Sequence, residues 1–169
     1  MSENLVIKTI NIILVVSMFL LHLMASFSGN WTVTTKGGVI YKSRGIYVDC
    51  TFNRCTYNSK TVSAWQDTAR FLFYVMWTII LVTVIINGLS LWILAARLPR
   101  IFALLYFSAA VIGILITIIF PITVSPIGKD GLSETWFSSG FYIFVAGVFM
   151  NFTLSLQCYQ LTPEYYPGA

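Results

Sequence analysis

Residues 45–55 read GIYVDCTFNRC, and they form the centre of a long polar segment that runs from Trp31 to Arg70. This segment holds two of the three cysteines and more than half of the ten basic residues of the chain. Those basic residues are Lys36, Lys42, Arg44, Arg54, Lys60 and Arg70. Because the sequence on both sides is largely apolar, we interpret that sequence as a scaffold that holds the polar segment at a surface.

The composition identifies the solvent around that scaffold. Of the 169 residues, 57% are hydrophobic and 9% are charged, whereas a soluble domain has about 25% charged residues. So short a chain cannot bury that much apolar surface in one water-soluble core. The sequence therefore predicts an integral membrane protein.

Four charge-poor runs divide the chain. A helix needs about 20 predominantly apolar residues to cross a bilayer, and each run is long enough for one such helix. The runs are apolar on all faces, which excludes a β-barrel, since the strands of a barrel alternate in polarity. The runs cover residues 9–27, 71–96, 101–128 and 135–163, and within a single domain, 1–169, we predict spans at about 9–27, 71–95, 101–122 and 140–161.

The first run has an alternative interpretation. Lys8, the apolar stretch after it and the small residues Ser26 and Ser28 also fit a cleaved signal peptide. The run is long for such a peptide and its basic region is thin, which favours a span.

The first loop, residues 28–69, predicts a small antiparallel sheet. β-branched and aromatic residues cluster in four short stretches, and Gly37-Gly38 forms a turn between the first two. The four strand stretches are 30–35, 39–41, 46–50 and 55–57.

The ends of two spans also carry signals. Ser63 to Gln66 has capping-box spacing, so span two is predicted to begin as a helix outside the membrane. The second loop, residues 123–139, is assigned no strand, and Pro121 and Pro126 are predicted to disturb the helix that leads into it.

Few polar residues lie inside the predicted spans. His22 is the only histidine, which excludes a cluster of histidine metal ligands and favours a neutral imidazole hydrogen-bonded to a neighbouring helix. A pH sensor is the alternative. Asn11, Asn87 and Asn151 are predicted to cross-link the bundle in the half opposite the large loop, through hydrogen bonds of about 0.6–2 kcal/mol each.

Small residues recur in span three. Ala109, Gly113 and Thr117 fall at i, i+4 and i+8, a spacing that lets helix backbones approach closely. Packing inside the bundle is the simplest use of this row, and contact between subunits is the alternative.

Two observations disagree about which side of the membrane holds the large loop. Basic residues are more numerous there than on the other face, which favours the cytoplasm. Cys50 and Cys55 lie across a predicted hairpin, where their Cβ atoms can approach within bonding distance, and a disulfide persists only in an oxidising compartment. The cysteines carry more weight, because a compactly folded loop is often translocated despite its charge. We therefore expect a multi-pass plasma-membrane protein with the loop outside and both termini cytoplasmic.

Two candidate modification sites depend on that topology. Asn30-Trp31-Thr32 is a glycosylation pattern on the outer side, so Asn30 is a candidate glycosylation site. Cys158 would face the reducing cytoplasm as a free thiol, with reversible palmitoylation as the alternative. Two loop thiols without histidine are too few ligands for zinc, and no metal is expected.

Together these residues resemble a known signature. A chain with four spans, a large first loop and Trp31 … Gly45-Ile46-Tyr47 … Cys50 … Cys55 … Arg70 is similar to the superfamily of peripheral myelin proteins, epithelial membrane proteins, lens intrinsic membrane proteins and claudins. That family carries a tryptophan, then Gly-Leu-Trp, two cysteines and a basic residue at the start of span two. The resemblance covers essentially the whole chain, and the short tails and cysteine spacing look most like the lens intrinsic membrane protein branch.

The resemblance implies a fold. It is an all-α membrane protein, a left-handed bundle of four transmembrane helices with a small extracellular antiparallel β-sheet, in which Cys50 and Cys55 form a disulfide. Two features depart from the family pattern. Tyr47 stands where the family usually has tryptophan, and the chain ends without the Tyr-Val type terminus with which claudins bind PDZ scaffolds. Both departures argue against a tight-junction role.

The residue pattern also argues against an enzyme. No charged residue lies deep in a span, which likewise disfavours a pore through the monomer, and no nucleophile–base pair or cofactor site is present. The expected function is cell–cell contact or membrane organisation, through the first loop and lateral helix packing. Expected partners are membrane lipid and other membrane proteins, including copies of this chain, and no nucleic acid. The alternative is an auxiliary subunit of an ion channel or receptor.

Overall fold

The structure, a computed structural model, describes residues 3–36, 39–51, 54–57, 64–90, 98–124 and 133–160. Within these ranges the chain forms four helices and five strands. The helices pack as a bundle, and the strands form one sheet at the end of the bundle where α1 leaves it.

The helices are long and apolar. They are α1 (Glu3–Phe27), α2 (Ala64–Ser90), α3 (Leu98–Val124) and α4 (Ser139–Gln160). Stretches long and apolar enough to cross a membrane run over Thr9–Phe27, Asp67–Leu89, Pro99–Phe120 and Ser139–Gln160. The four predicted spans are thus confirmed as apolar helices, although residues 91–95, where the second was expected to end, lie outside the described ranges. The left-handed twist and the extracellular side stay predictions.

Two helix ends follow from local chemistry. The carbonyl of Ser138 accepts hydrogen bonds from the backbone N–H groups of Phe141 and Tyr142, so Ser138 is the N-cap of α4. Pro99 lies in the first turn of α3, where its missing N–H has no helical partner to lose.

Two other ends bear on the predictions. α2 begins at Ala64, before its apolar stretch starts at Asp67, as expected for a helix that begins outside the membrane; the predicted cap at Ser63 lies outside the described residues. α3 continues through Pro121 to Val124. Pro121 therefore does not end the helix, since membrane helices tolerate the loss of the one backbone hydrogen bond that proline removes. A bend at Pro121 stays a prediction, and Pro126 lies outside the described residues.

The bundle has an apolar inside and an apolar outside. α2 packs on α3, α3 on α4 and α1 on α4, and side chains such as Met18, Phe73 and Phe144 are completely buried between them. Large apolar side chains such as Phe71 and Phe149 are more than 60% exposed on the outer surface. Apolar area of this extent on a soluble protein would mark an interface, and on these helices it fits contact with hydrocarbon.

The strands form a single antiparallel sheet. They are β1 (Thr32–Lys36), β2 (Val39–Arg44), β3 (Val48–Thr51), β4 (Arg54–Tyr57) and β5 (Ser133–Phe137), and they pair in the order β4-β3-β2-β1-β5. The four strands predicted in the first loop are confirmed, with their ends shifted by up to three residues. The predicted turn at Gly37-Gly38 lies outside the described residues.

The fifth strand corrects the prediction for the second loop. β5 lies within residues 123–139, where no strand was expected, and it pairs with β1 from Thr32 opposite Phe137 to Lys36 opposite Ser133. Without β5, one side of β1 would be an edge with unpaired N–H and C=O groups. The second loop supplies the missing partner, and both loops therefore belong to one sheet.

Candidate functional site

Trp31 is the centre of the junction between the sheet and the helices. Its side chain is 0% exposed, and its indole N–H donates a 2.7 Å hydrogen bond to the carbonyl of Ala25 in α1. Its ring contacts four phenylalanines from α2, α3 and α4, with ring centroids 4.8–6.1 Å apart. These are Phe73, Phe120, Phe141 and Phe144. Trp31 therefore joins the start of β1 to all four helices.

Gly45 and Ile46 hold the turn between β2 and β3 against the bundle. The N–H of Gly45 donates a 2.7 Å hydrogen bond to the carbonyl of Val48. A Cβ at Gly45 would overlap the carbonyl of Ser28, so glycine is required by the close approach of two backbone segments. Ile46 is buried in the same apolar cluster as Trp31.

Tyr47 and Arg70 meet on the outer side of this junction. The Nε–H of Arg70 donates a 3.0 Å hydrogen bond to the carbonyl of Ile46, and its guanidinium carbon lies 5.9 Å from the centre of the Tyr47 ring. The Tyr47 ring also contacts Tyr57 of β4 and Tyr74 of α2, at 6.3 and 5.6 Å. Burial, and then the neighbouring Tyr74, raise the pKa of Tyr47 above its ordinary value. The phenol therefore stays protonated at physiological pH.

The predicted disulfide joins Cys50 of β3 to Cys55 of β4, with an S–S distance of 2.05 Å. The two residues are directly opposite in the strand register. β4 is an edge strand whose four residues are all exposed, so the covalent link compensates for packing that β4 lacks. In the loop-entropy model, closing so short a loop stabilises the folded state by about 2 kcal/mol.

Residues that the sequence analysis missed complete the junction. The N–H of Ser138 donates a 2.9 Å hydrogen bond to the carbonyl of Trp31, and the N–H of Gly140 donates one of 3.1 Å to the carbonyl of Asn30. A Cβ at Gly140 would overlap the side chain of Ser28. The available signal was Ser-Ser-Gly at 138–140, a capping residue followed by a glycine that the helix itself does not need.

Asn30 lies in the connection between α1 and β1, and it is exposed. Its backbone carbonyl is the acceptor for Gly140, while glycosylation concerns the side-chain amide. Attachment of a glycan at Asn30 stays a prediction.

The charges of the sheet are partly paired. Arg44 of β2 and Asp49 of β3 are opposite in register and form an ion pair of 3.5 Å. Lys36 and Arg54 are exposed at the ends of their strands, and Lys60 lies outside the described residues. The part of the sheet that the structure describes therefore presents a basic surface.

His22 and Asn151 connect α1 to α4 inside the bundle. Both are 0% exposed, and the amide nitrogen of Asn151 lies 2.9 Å from Nε2 of His22. With the amide as donor, Nε2 is the acceptor of a neutral ring. Gly147 leaves room for this ring, since a Cβ there would lie 3.0 Å from its Cε1. The predicted hydrogen bond from His22 to a neighbouring helix is confirmed, whereas a pH-sensing role is untested.

A second polar contact joins α1, α2 and α3. The amide nitrogen of Asn87 lies 3.3 Å from the amide oxygen of Asn11 and 3.3 Å from the hydroxyl of Tyr106. The prediction that asparagines cross-link the bundle is confirmed for this pair. Asn151 also cross-links helices, but its partner is His22.

The small-residue row of α3 faces the inside of the bundle. Ala109 and Gly113 are buried, and a Cβ at Gly113 would lie 2.5 Å from Cγ2 of Val148 in α4. Thr117 is partly exposed, and its hydroxyl donates to the carbonyl of Ile114 in its own helix. The predicted packing inside the bundle is confirmed for Ala109 and Gly113.

Cys158 lies in the last turns of α4, far from the sheet. It is a free thiol that is 3% exposed and part of the apolar core. Its palmitoylation stays a prediction, and it would require the thiol to leave the core.

In the ranges that the structure describes, no group of three or more His, Cys, Asp or Glu side chains is placed to hold a metal ion.

Neither a protein-family model nor a curated protein matches the chain. The superfamily resemblance therefore depends on the signature residues of the sequence alone.

Proposed function

We propose that the chain is a claudin-like, non-enzymatic tetraspan protein of the plasma membrane that acts in cell–cell contact or membrane organisation through its sheet. Three observations support this proposal: the four apolar helices, the Cys50–Cys55 disulfide, and the junction in which Trp31 is bound to α1 and Arg70 of α2 is bound to the turn between β2 and β3. Lateral packing of the apolar outer helix surfaces would assemble copies of the chain within one membrane.

The observation that carries the proposal is an exposed apolar surface on the sheet. Val33 is opposite Trp136 in the register, and Thr35 is opposite Ile40. Because side chains alternate between the faces of a strand, Val33, Ile40 and Trp136 share one face, called here the apolar sheet face. Ile40 is 61% exposed and Trp136 is 60% exposed. Exposed aromatic and aliphatic side chains within a polar rim are typical of protein-contact surfaces.

The charge of the sheet as a whole suggests the kind of surface it would meet, and its basic residues alternate onto the face opposite the apolar sheet face. Lys36 and Arg54 are exposed, and the nearby Arg44 is already paired with Asp49. Unpaired basic residues increase the association rate with an acidic partner by long-range attraction. An opposing membrane with acidic surface proteins fits this charge.

Expression in non-adherent cells tests the proposal. Cells that carry the wild-type chain should aggregate, and Ile40→Ser with Trp136→Ser should abolish aggregation because both changes remove apolar contact area. The matched control is Thr51→Ser with Thr56→Ser, two exposed residues on the opposite face, which should aggregate like wild type. Surface amounts are equalised by labelling. Absence of aggregation by the wild-type chain would contradict the adhesive function.

An auxiliary subunit of a channel or receptor is the second candidate, and a cavity between α1 and α2 favours it. The cavity has a volume of about 160 Å³ and is lined by Val15, Val84 and Gly88, among others. A Cβ at Gly88 would meet no atom within 4 Å, and the neighbouring Val16 is 50% exposed. The cavity can therefore receive a side chain from a partner helix within the membrane.

Purification from native membrane separates the two candidates. A stoichiometric channel or receptor in the eluate would support the auxiliary role and contradict adhesion as the main function. Gly88→Leu fills the cavity and should release that partner, whereas Ala146→Leu, which introduces the same side chain at an exposed site of α4, should keep it.

A further inference from the structure

The Arg70 guanidinium is held by uncharged groups. Its Nε–H is bound to the carbonyl of Ile46, and its guanidinium lies beside the ring of Tyr47. The ion pair found among the described residues joins Arg44 to Asp49 instead. No described carboxylate therefore lies within ion-pair distance of Arg70.

One polar atom in this cluster is enclosed and unpaired. Nη2 of Arg70 is shielded from solvent and has no hydrogen-bond partner among the residues described, whereas the enclosed hydroxyl of Tyr47 lies beside the side chain of Tyr74, which is itself exposed and able to move away. Arginine stays charged at physiological pH, and burial raises the pKa of Tyr47, so both groups stay donors. Enclosed donors without an acceptor destabilise a fold, and an acceptor from another molecule would remove that penalty.

The cluster lies where a membrane span begins. The apolar stretch of α2 starts at Asp67, one turn before Arg70. Beside Arg70 on the same helix, Phe71 is 66% exposed and Tyr74 is 57% exposed, which places this surface next to lipid if α2 crosses a membrane. Tyrosines are enriched at the membrane–water interface, and Tyr57 completes such a group here. Headgroup phosphates lie at this level of a bilayer.

We propose that Arg70 and Tyr47 bind the phosphate of a membrane phospholipid headgroup. A guanidinium presents paired N–H donors that match phosphate oxygens, and the phenol adds an O–H donor to the same group. Tyr57 and Tyr74 contact the Tyr47 ring and are more than half exposed, and exposed side chains change rotamer rapidly enough to admit a headgroup. The bound lipid would hold the base of the sheet at a fixed depth, whichever partner the sheet meets.

Native mass spectrometry of the purified full-length protein tests this site with three lipids of equal acyl length. Phosphatidylglycerol and phosphatidylcholine share the phosphate and should each stay bound as a one-to-one complex, whereas diacylglycerol should be retained about tenfold less. Arg70→Gln should reduce phosphatidylglycerol retention by about tenfold. Arg54→Gln removes the same charge from an exposed site and should retain the lipid like wild type.

Several outcomes would overturn the proposal. Equal retention by Arg70→Gln and Arg54→Gln would mean that net charge, not this site, attracts lipid. Equal retention of diacylglycerol would mean that the phosphate is not recognised, and displacement of lipid by millimolar inorganic phosphate would assign the site to a free anion. If Arg70→Gln fails to fold, Tyr47→Phe is compared with Tyr57→Phe, and retention must fall only in the former.

Discussion

At the residue scale, the indole of Trp31 combines two properties that the junction uses together. Its N–H satisfies the carbonyl of Ala25, and its ring fills the space between phenylalanines of three helices. Tryptophan is suited to such a site because one side chain carries a large apolar surface and a single donor.

Replacing Trp31 should therefore weaken the fold in two separable steps. Trp31→Ala leaves a large cavity and should cost about 3–5 kcal/mol of unfolding free energy. Trp31→Phe keeps a ring but removes the indole donor, while the carbonyl of Ala25 keeps a 3.3 Å hydrogen bond from the N–H of Ser28, so the cost should be about 0.5–1.5 kcal/mol. Thermal unfolding in detergent, followed by circular dichroism, measures both.

The control for this series is Trp136→Ala. Trp136 is 60% exposed, so its removal should change stability by about 0.5 kcal/mol or less. Equal destabilisation by Trp31→Ala and Trp136→Ala would mean that Trp31 does not anchor the junction.

The sequence predicted which residues matter more readily than it predicted what they contact. Gly45 is a signature residue, but its need for glycine comes from the carbonyl of Ser28, which no local pattern reveals. His22 was expected to bond to a neighbouring helix, and the partner, Asn151, is known only from the bundle geometry. Contacts between residues far apart in sequence depend on packing that single positions do not encode.

At the scale of elements, Gly113 sets how closely α3 and α4 approach. A Cβ there would lie 2.5 Å from Val148, so Gly113→Val must push the two helices apart. Overpacking of this kind costs about 1–3 kcal/mol. The melting temperature of the purified variant is expected to fall accordingly.

Gly88→Val is the matched control for that change. Both glycines lie within helices, so the propensity effect of the substitution is the same, but a Cβ at Gly88 meets no atom within 4 Å. Gly88→Val should melt at or above the wild-type temperature, since valine forms helices better than glycine. If the two variants lost the same stability, Gly113 would have no role in the contact between α3 and α4.

The pairing of β1 with β5 can be tested by a designed cross-link. Thr34 and Thr135 are opposite in register, so Thr34→Cys with Thr135→Cys should form a disulfide that links the two loops. Thr34→Cys with Glu134→Cys is the control, because a shift of one residue moves the second thiol to the other face. Mass spectrometry of non-reduced peptides identifies the bond, and cross-linking of both pairs alike would contradict the register.

β5 was missed for a physical reason. Thr135 to Phe137 were assigned to the apolar run that predicted the fourth span, and strand preference depends strongly on the neighbouring strand. That neighbour, β1, belongs to the other loop. The strands of the first loop were predictable because each pairs with the next one along the chain.

At the scale of the whole molecule, two strands that pair in the sheet are connected to two helices that pack in the bundle. β1 follows α1 and β5 precedes α4; β1 pairs with β5, and α1 packs on α4. The connections at Asn30 and Ser138 are short, so the pairing of β1 with β5 and the packing of α1 on α4 each require the other. Hydropathy predicted the four helices, and the β-branched and aromatic stretches predicted a sheet in the first loop, whereas this correspondence required the fifth strand.

The same connectivity predicts how the protein lies in a membrane. If all four helices cross the membrane, the sheet lies on one side, and the start of α1 and the end of α4 lie on the other. In a Cys158→Ala background, Lys36→Cys on the sheet should react with a membrane-impermeant maleimide on intact cells. Gln160→Cys, exposed at the end of α4, should react only after permeabilisation, as should an antibody against an N-terminal tag.

Two results would contradict this topology in different ways. Labelling of Lys36→Cys and Gln160→Cys from the same side would mean that at least one of α2, α3 and α4, the helices between them, does not cross the membrane. Labelling of Gln160→Cys alone on intact cells would keep four crossings but place the sheet in the cytoplasm. In that case the disulfide of Cys50 and Cys55 would face a reducing compartment, and the sheet could not meet another cell.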